Sequence, residues 1–355
     1  MPANFDLAGL ALPPGNEILY DDKNMPSTMV YVPKFTYARL GLGTSTDTFP
    51  AFIINGQEVD GIWISKYQNI VKNGRAYSLP GVIQTSNVTF DQARQYCEAK
   101  GVGWHLMTAL EWGALILWCE SNGVIPKGNT AWGKDHSESC YKAIPADFES
   151  GNVRRTKTGT GPLTWYHDQT PAGIADLAGN VWEWTGGLRL VKGELQVLVN
   201  NNAADKSHSQ AADSDQWKAI NASSGALITP NGSGPTSGSI KADWQSSKLT
   251  WHTSITDSSP GTHYCMFQDI VCSSSIASAA QTVLQALGMF KKTSSIITGN
   301  QRCYFNNAET ERSLFRGGYY SGGAGGFASF SLNSGRDYQD VVIGFRSAYV
   351  KLPAA

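Results

Sequence analysis

From residue 29 onward the chain alternates short apolar runs with turn residues. Met29-Val30-Tyr31-Val32, Phe52-Ile53-Ile54 and Ile62-Trp63-Ile64 are too short for helices and rich in β-branched or aromatic side chains, which predicts strands. Asn55-Gly56 follows the second run. That dipeptide accepts the positive φ values of a two-residue turn, so a hairpin is expected there.

The period then changes. Thr89-Phe90-Asp91-Gln92 and Thr108-Ala109-Leu110-Glu111 both read as capping boxes, each preceded by an apolar residue, Val88 or Met107, placed to staple onto the first turn. Phe90, Ala93 and Cys97 share one face of the first predicted helix, and Trp112, Leu115 and Cys119 share one face of the second. Gly101 and Gly123 end them. A third helix is predicted over about 274–289, with Ile276, Ala280, Val283, Leu284 and Leu287 on one face, and a strand pair over 188–199. Residues 123–170 read as irregular but packed, held by Trp132 and Trp165. From 200 to 259 the composition shifts to Asn, Ser, Gly and Ala, which predicts an insertion or exposed loop region. The expected organisation is an N-terminal extension over 1–28 and one domain over 29–355, with a loop-rich insertion at about 200–300.

Charge removes several function classes. With 28 Lys+Arg against 29 Asp+Glu the net charge is -1, so no basic field tracks a phosphate backbone and nucleic acid is not expected as a partner. No apolar run approaches the roughly 20 residues of a membrane helix, so no membrane insertion is expected. The stretch Met1 to Gly15 has neither a basic n-region nor a continuous apolar core, and no signal peptide is read there. The six cysteines (97, 119, 140, 265, 272 and 303) form no C-x-x-C pair and are expected as reduced, mostly buried thiols.

Several segments then occur in a telling order: Met29-Val30-Tyr31-Val32-Pro33, Trp63-Ile64-Ser65-Lys66-Tyr67, and Ala93-Arg94-Gln95-Tyr96-Cys97. His105-Leu106-Met107-Thr108-Ala109-Leu110-Glu111-Trp112 and Leu177-Ala178-Gly179-Asn180-Val181-Trp182-Glu183-Trp184 come next, then Phe315-Arg316-Gly317-Gly318 and Ile343-Gly344-Phe345-Arg346. This set resembles the formylglycine-generating-enzyme (sulfatase-modifying factor) family. The resemblance implies an α+β, elaborated C-type-lectin fold. Asn180, Trp182, Glu183, Trp184, Arg316, Gly317, Gly318, Gly344, Phe345 and Arg346 read as scaffold. Gly179 and Asn180 are expected to take a tight turn pinned by the two Trp residues, Glu183 to satisfy backbone donors, and the Arg316 and Arg346 segments to pair as strands flanking a loop-rich surface.

The family's oxidation chemistry uses a copper-binding cysteine pair between those last two segments, and this chain has no cysteine from 316 to 346. A related branch holds iron with histidines, but no H-x-x-x-H occurs and no histidine follows 263. His263 with Cys265, Cys272 and Cys303 is the remaining zinc candidate, in a spacing that fits no common zinc pattern. The reading is therefore no catalytic residue, no metal and no cofactor.

From Tyr319 to Asp340 the chain is rich in Tyr, Ser, Gly, Asn and Asp, the composition of antibody paratopes. Arg-Gly-Gly, a small-residue loop, Phe327-Ala-Ser-Phe-Ser-Leu332, Arg336 and a terminal Ile-Gly-Phe-Arg resemble the variable region of diversity-generating-retroelement target proteins. In that family an error-prone copying process randomises chosen codons while interleaved residues hold a C-type-lectin fold. The resemblance implies that Tyr319, Tyr320, Ser321, Gly322, Ser331, Asn333, Ser334, Tyr338, Asp340, Val341 and Val342 are displayed for ligand binding, with Tyr320 at a position where the pattern has Trp. The expected function is hypervariable binding of a protein or cell-surface ligand, from a virion tail or a cell surface, with other virion subunits as further partners. The alternatives are a formylglycine-generating-type oxidase or related metalloenzyme, and a structural tail or baseplate module.

Overall fold

The computed structural model describes residues 12–232, 234–257, 259–323 and 325–352. The apolar runs form strands as their spacing predicts, except that Phe52 ends a 3-10 turn over Pro50–Phe52 before Ile53–Ile54. Five strands make an antiparallel sheet in the order Asn16–Tyr20, Pro26–Pro33, Gly61–Ser65, Ser347–Tyr349 and Trp104–Leu106. Its inner face carries Val30, Val32, Ile62 and Ile64, all buried. Asn55 and Gly56 sit at φ 54° and 72° between the paired Ile53–Ile54 and Gln57–Glu58, the turn the dipeptide announces.

The expected N-terminal extension is corrected. Residues 1–11 lie outside the described residues, but Asn16–Tyr20 pairs along its whole length with Pro26–Pro33, so a boundary at 28 cuts through a strand. Lone strand segments leave backbone groups unpaired, and this hairpin satisfies them.

Two helices start on the capping boxes. Thr89 Oγ1 accepts from Gln92 N while Gln92 Oε1 accepts from Thr89 N, and Thr108 with Glu111 repeats the exchange. Phe90–Glu98 buries the single face expected of it, through Phe90, Ala93 and Cys97. Ala109–Ser121 departs from expectation by being buried almost all round. It is the central post of the core, and a Cβ on Gly113 would stand 2.0 Å from Ala286 O, so only glycine lets the Ser278–Ala286 helix end against it. That third helix is shorter than the predicted 274–289.

The larger sheet follows the order His263–Met266, Arg302–Phe305, Phe330–Ser334, Arg312–Arg316, Trp182–Val191, Glu194–Val197, Lys241–Gln245, Lys248–His252 and Val271–Cys272. It curls back on itself: the Trp244 ring stacks on His263 at 4.8 Å, and Leu249 N donates to Cys265 Sγ. The expected loop region at 200–259 is thereby corrected, because Lys218–Ile220, Leu227–Ile228, Lys241–Gln245 and Lys248–His252 are strands of this sheet. Ile220, Ala242, Leu249 and Trp251 bury its inner side. Its Ser, Gly and Asn residues fill the turns, and their number hides strands of two to five residues.

Candidate functional site

The frame is built around Gly179 and Asn180, which take φ 74° and 66°. A Cβ at Gly179 would lie 2.1 Å from Asn129 O, so the turn requires glycine. Asn180 donates to Gln68 Oε1 and Thr156 O and accepts from Thr156 N and Asn129 Nδ2, at 2.9–3.2 Å. All of this amide's capacity is used at once, which fixes its orientation in the core.

Beyond the turn, Trp184 is fully buried and donates from Nε1 to Val88 O at 2.8 Å. Glu183 points the opposite way along the same strand. It does not serve backbone donors, as expected from sequence, but receives both Arg346 Nε (2.9 Å) and Nη2 (3.0 Å), with Gln68 Nε2 at 3.0 Å. Arg346 spends its remaining donors on the carbonyls of Ser65 and Ala175. A charge pair at 0 and 1% side-chain exposure is tolerated because both carboxylate oxygens and all three guanidinium nitrogens have partners.

The two flanking segments do not pair with each other. Arg312–Arg316 lies antiparallel on one side of the Trp182–Trp184 stretch, with Glu183 opposite Arg316, and Ile343–Phe345 lies parallel on the other side, with Trp182 opposite Ile343. A strand between them is what brings the two ends of the intervening segment together. Arg316 is fully buried with no carboxylate partner among the described residues. Its Nη1 and Nη2 donate to Gly288 O and Leu287 O just past the Ser278–Ala286 helix, where carbonyls are unspent and the dipole favours a cation. Burial lowers its pKa from the ordinary arginine value. Gly317 and Gly318, at φ 92° and 81°, then lead out of the strand.

Against this frame an open groove of about 350 Å³ collects Tyr319, Ser331, Asn333, Ser334, Tyr338, Asp340 and Val342, with Trp182, Tyr304, Phe315 and Ile343 at its base. Its polar groups are bonded locally. Ser331 and Ser334 hydroxyls donate to Asn333 Oδ1, Tyr338 Oη donates to Asp340 Oδ2 at 3.0 Å, and Val342 N donates to Asp340 Oδ1 at 3.1 Å. Burial, then the Asp340 carboxylate, raises the Tyr338 phenol.

Seven of the eleven residues expected on display thus share one groove, though Ser331 is buried at its floor. The other four differ. Ser321, Gly322 and Val341 do not line it, although Gly322 and Val341 are exposed. Tyr320 is 4% exposed and turned inward: its ring meets Trp132 at 5.2 Å, its hydroxyl reaches Glu149 Oε2 at 3.2 Å, and its N–H donates to Asn180 O. The two tyrosine rings meet edge to face at 5.4 Å, but only Tyr319 lines the groove, because Tyr320 is packed against Trp132 and bonded to Glu149. Burial first, then Glu149, pushes the Tyr320 phenol up to about 12.

The sequence reading missed Tyr304 and Phe315 and took Trp182 for scaffold alone. The Arg302-Cys-Tyr-Phe305 alternation was the available signal, and its long-range pairing beside Phe330–Ser334 was not readable. The four zinc-candidate side chains do not converge. His263 faces Phe305, Cys265 faces Cys303, and Cys272 lies on another strand opposite Trp251. Among the described residues no group of three or more His, Cys, Asp or Glu is placed to hold a metal ion, and no helix is long and apolar enough to cross a membrane.

Residues 10–218 match the family of the sulfatase-modifying factor enzyme 1-like domain. No curated protein matches the chain. Among solved structures, PvdO from Pseudomonas aeruginosa aligns at 12% identity and a TM-score of 0.38, covering 96% of this chain and 100% of its own. Treponema denticola variable protein 1 aligns at 12% identity and 0.33, covering 95% and 100%. The U1 variant of the Major Tropism Determinant aligns at 10% identity and 0.32, covering 96% and 73%.

Proposed function

The chain belongs to the sulfatase-modifying factor enzyme 1-like family, and on that frame we propose that it is a binding protein whose 319–342 groove is a diversified ligand face. The observation that carries this reading is the convergence of Tyr319, Ser331, Asn333, Ser334, Tyr338, Asp340 and Val342 in one open groove. Tyrosine offers rigid amphipathic contact area, and Ser and Asn offer adaptable hydrogen bonds. The ligand is a protein or cell-surface molecule, and the protein acts from a virion tail or a cell surface.

The chemistry of the thiols supports a binding role over oxidation. Copper oxidation needs accessible thiolates. Cys303, the cysteine nearest before the 316–346 segment, is fully buried, and burial pushes its pKa well up.

The test replaces Tyr319, Asn333 and Tyr338 together by alanine and measures adhesion to a panel of cells and purified surface proteins beside thermal stability. A Tyr at an interface centre carries about 2 kcal/mol or more, roughly a thirtyfold loss on truncation. Lost adhesion with a retained melting temperature is the expected result. Unchanged adhesion by a folded triple variant would remove the ligand-face reading and leave the structural-module alternative.

A further inference from the structure

The groove continues past the segment that carries its variable side chains. On the Arg302–Phe305 strand, Cys303 and Phe305 are buried, while Arg302 and Tyr304 face the other way. Tyr304 stands in register between Ser331 and Tyr264. Tyr264 belongs to the terminal strand of the sheet and is 54% exposed. Ring centres step from Phe315 to Trp182 (5.3 Å), to Tyr304 (6.3 Å) and to Tyr264 (5.9 Å). An aromatic row thus runs from the groove base to the sheet edge.

Arg302 lies over the outer end of that row. Its guanidinium carbon is 4.8 Å from the Tyr264 ring centre and 6.0 Å from that of Tyr304, and Nη1 donates to Tyr304 Oη at 3.4 Å. That is its one side-chain hydrogen bond among the described residues, and Nε is shielded from solvent without a partner. Other arginines of the chain reach carboxylates: Arg75 meets Asp21 and Asp22, Arg155 meets Asp147, and Arg336 meets Glu311. Arg302 joins no ion pair among the described residues. It is a guanidinium held in place by two rings, with most of its donors unspent, next to the groove through its bond to Tyr304.

We propose that Arg302, braced by Tyr264 and Tyr304, is a constant anchor for an acidic side chain of a protein ligand seated in the groove. The inference rests on the ligand-face reading above and adds the partner's chemistry to it. A planar fork of N–H donors matches a carboxylate in two parallel bonds, and stacking lowers the entropy lost in making them. Asp340 makes no ion pair with the anchor; its oxygens accept from Tyr338 and Val342 instead. A polypeptide carrying an acidic side chain fits better than a neutral sugar, because the anchor is a cation with unspent donors. Arg302, Tyr264 and Tyr304 lie outside 316–346, so changes that retune the groove leave the anchor intact. Ligands that differ elsewhere then share an acidic residue.

A phage-displayed library of random 12-residue peptides, panned on the full chain, tests this. Peptides selected by the wild type are expected to be enriched in Asp and Glu. Arg302→Gln should weaken them at least tenfold with an unchanged melting temperature, Arg302→Lys should restore part of the binding, and Arg302→Glu should redirect selection toward Lys and Arg. Selected peptides that respond to the Tyr319, Asn333 and Tyr338 alanine triple but not to Arg302→Gln overturn the anchor and leave the ligand face standing. Peptides indifferent to both sets overturn the ligand face as well. No enrichment, or binding confined to acidic sugars on a glycan array, overturns the protein ligand.

Discussion

The frame around Glu183 and Arg346 and the groove above it are made of similar polar side chains, yet they are bonded in opposite ways. Arg346 and Glu183 are 163 residues apart in sequence and Gln68 and Glu183 are 115 apart. In the groove, Ser331 with Asn333 and Tyr338 with Asp340 are two apart. Long-range bonds in a dry interior tie distant strands together, so losing one partner strands the other. Local bonds at an open surface can be lost and replaced by water. The contrast predicts that substitutions cost much in the frame and little in the groove.

The frame is where the largest losses are expected. Glu183→Ala leaves the Arg346 charge buried and unpaired, which should cost about 3–5 kcal/mol in denaturant unfolding. Trp184→Ala removes a fully buried ring and should cost about as much. A loss below about 1 kcal/mol at either position would erase the contrast.

Lys100 sharpens it through pH. Its ammonium is fully buried at the end of the first helix, over the Trp104 ring at 3.2 Å and bonded to Ser27 Oγ at 2.8 Å. Burial pushes its pKa down to about 7, against roughly 10.4 in the unfolded chain. Between those values the unfolded state binds the extra proton, so stability should rise by a few kcal/mol from pH about 7 to about 10. Lys100→Met should flatten that rise, which urea melts at several pH values would measure.

Adjacent tyrosines give a smaller and more local comparison. Tyr320→Ala removes a side chain packed on Trp132 and should cost about 2–4 kcal/mol. Tyr319→Ala, on the groove side, should cost under about 1 kcal/mol. Equal effects on the melting temperature would mean that the two sides of this turn are not distinct.

Much of the frame was legible in the sequence because its signals are local. The capping boxes at Thr89 and Thr108, the Asn55-Gly56 turn, and the Gly179-Asn180 turn each depend on a few neighbouring residues. The residues 200–259 and the pairing of Glu183 were not legible. Short strands among Ser and Gly have no periodicity to read, and a partner 163 residues away leaves no local trace. Within the site, composition pointed to the segment, but only the long-range packing of Tyr320 on Trp132 and Glu149 separates it from Tyr319. Tyr304 joins the groove through strand pairing that no spacing announces.

The most direct test randomises two sets of positions and sorts each library for folded, protease-resistant molecules. One set is Tyr319, Asn333, Ser334, Tyr338 and Asp340 in the groove, and the other is Asn180, Glu183, Trp184 and Arg346 in the frame. These groove positions are half-buried or exposed and bonded locally, and substitutions away from buried networks cost about 0.5 kcal/mol or a little more, so most groove variants should survive sorting. Frame variants should survive only where the original residues return. Comparable survival of the two libraries would contradict the division of the molecule into a fixed frame and a free face.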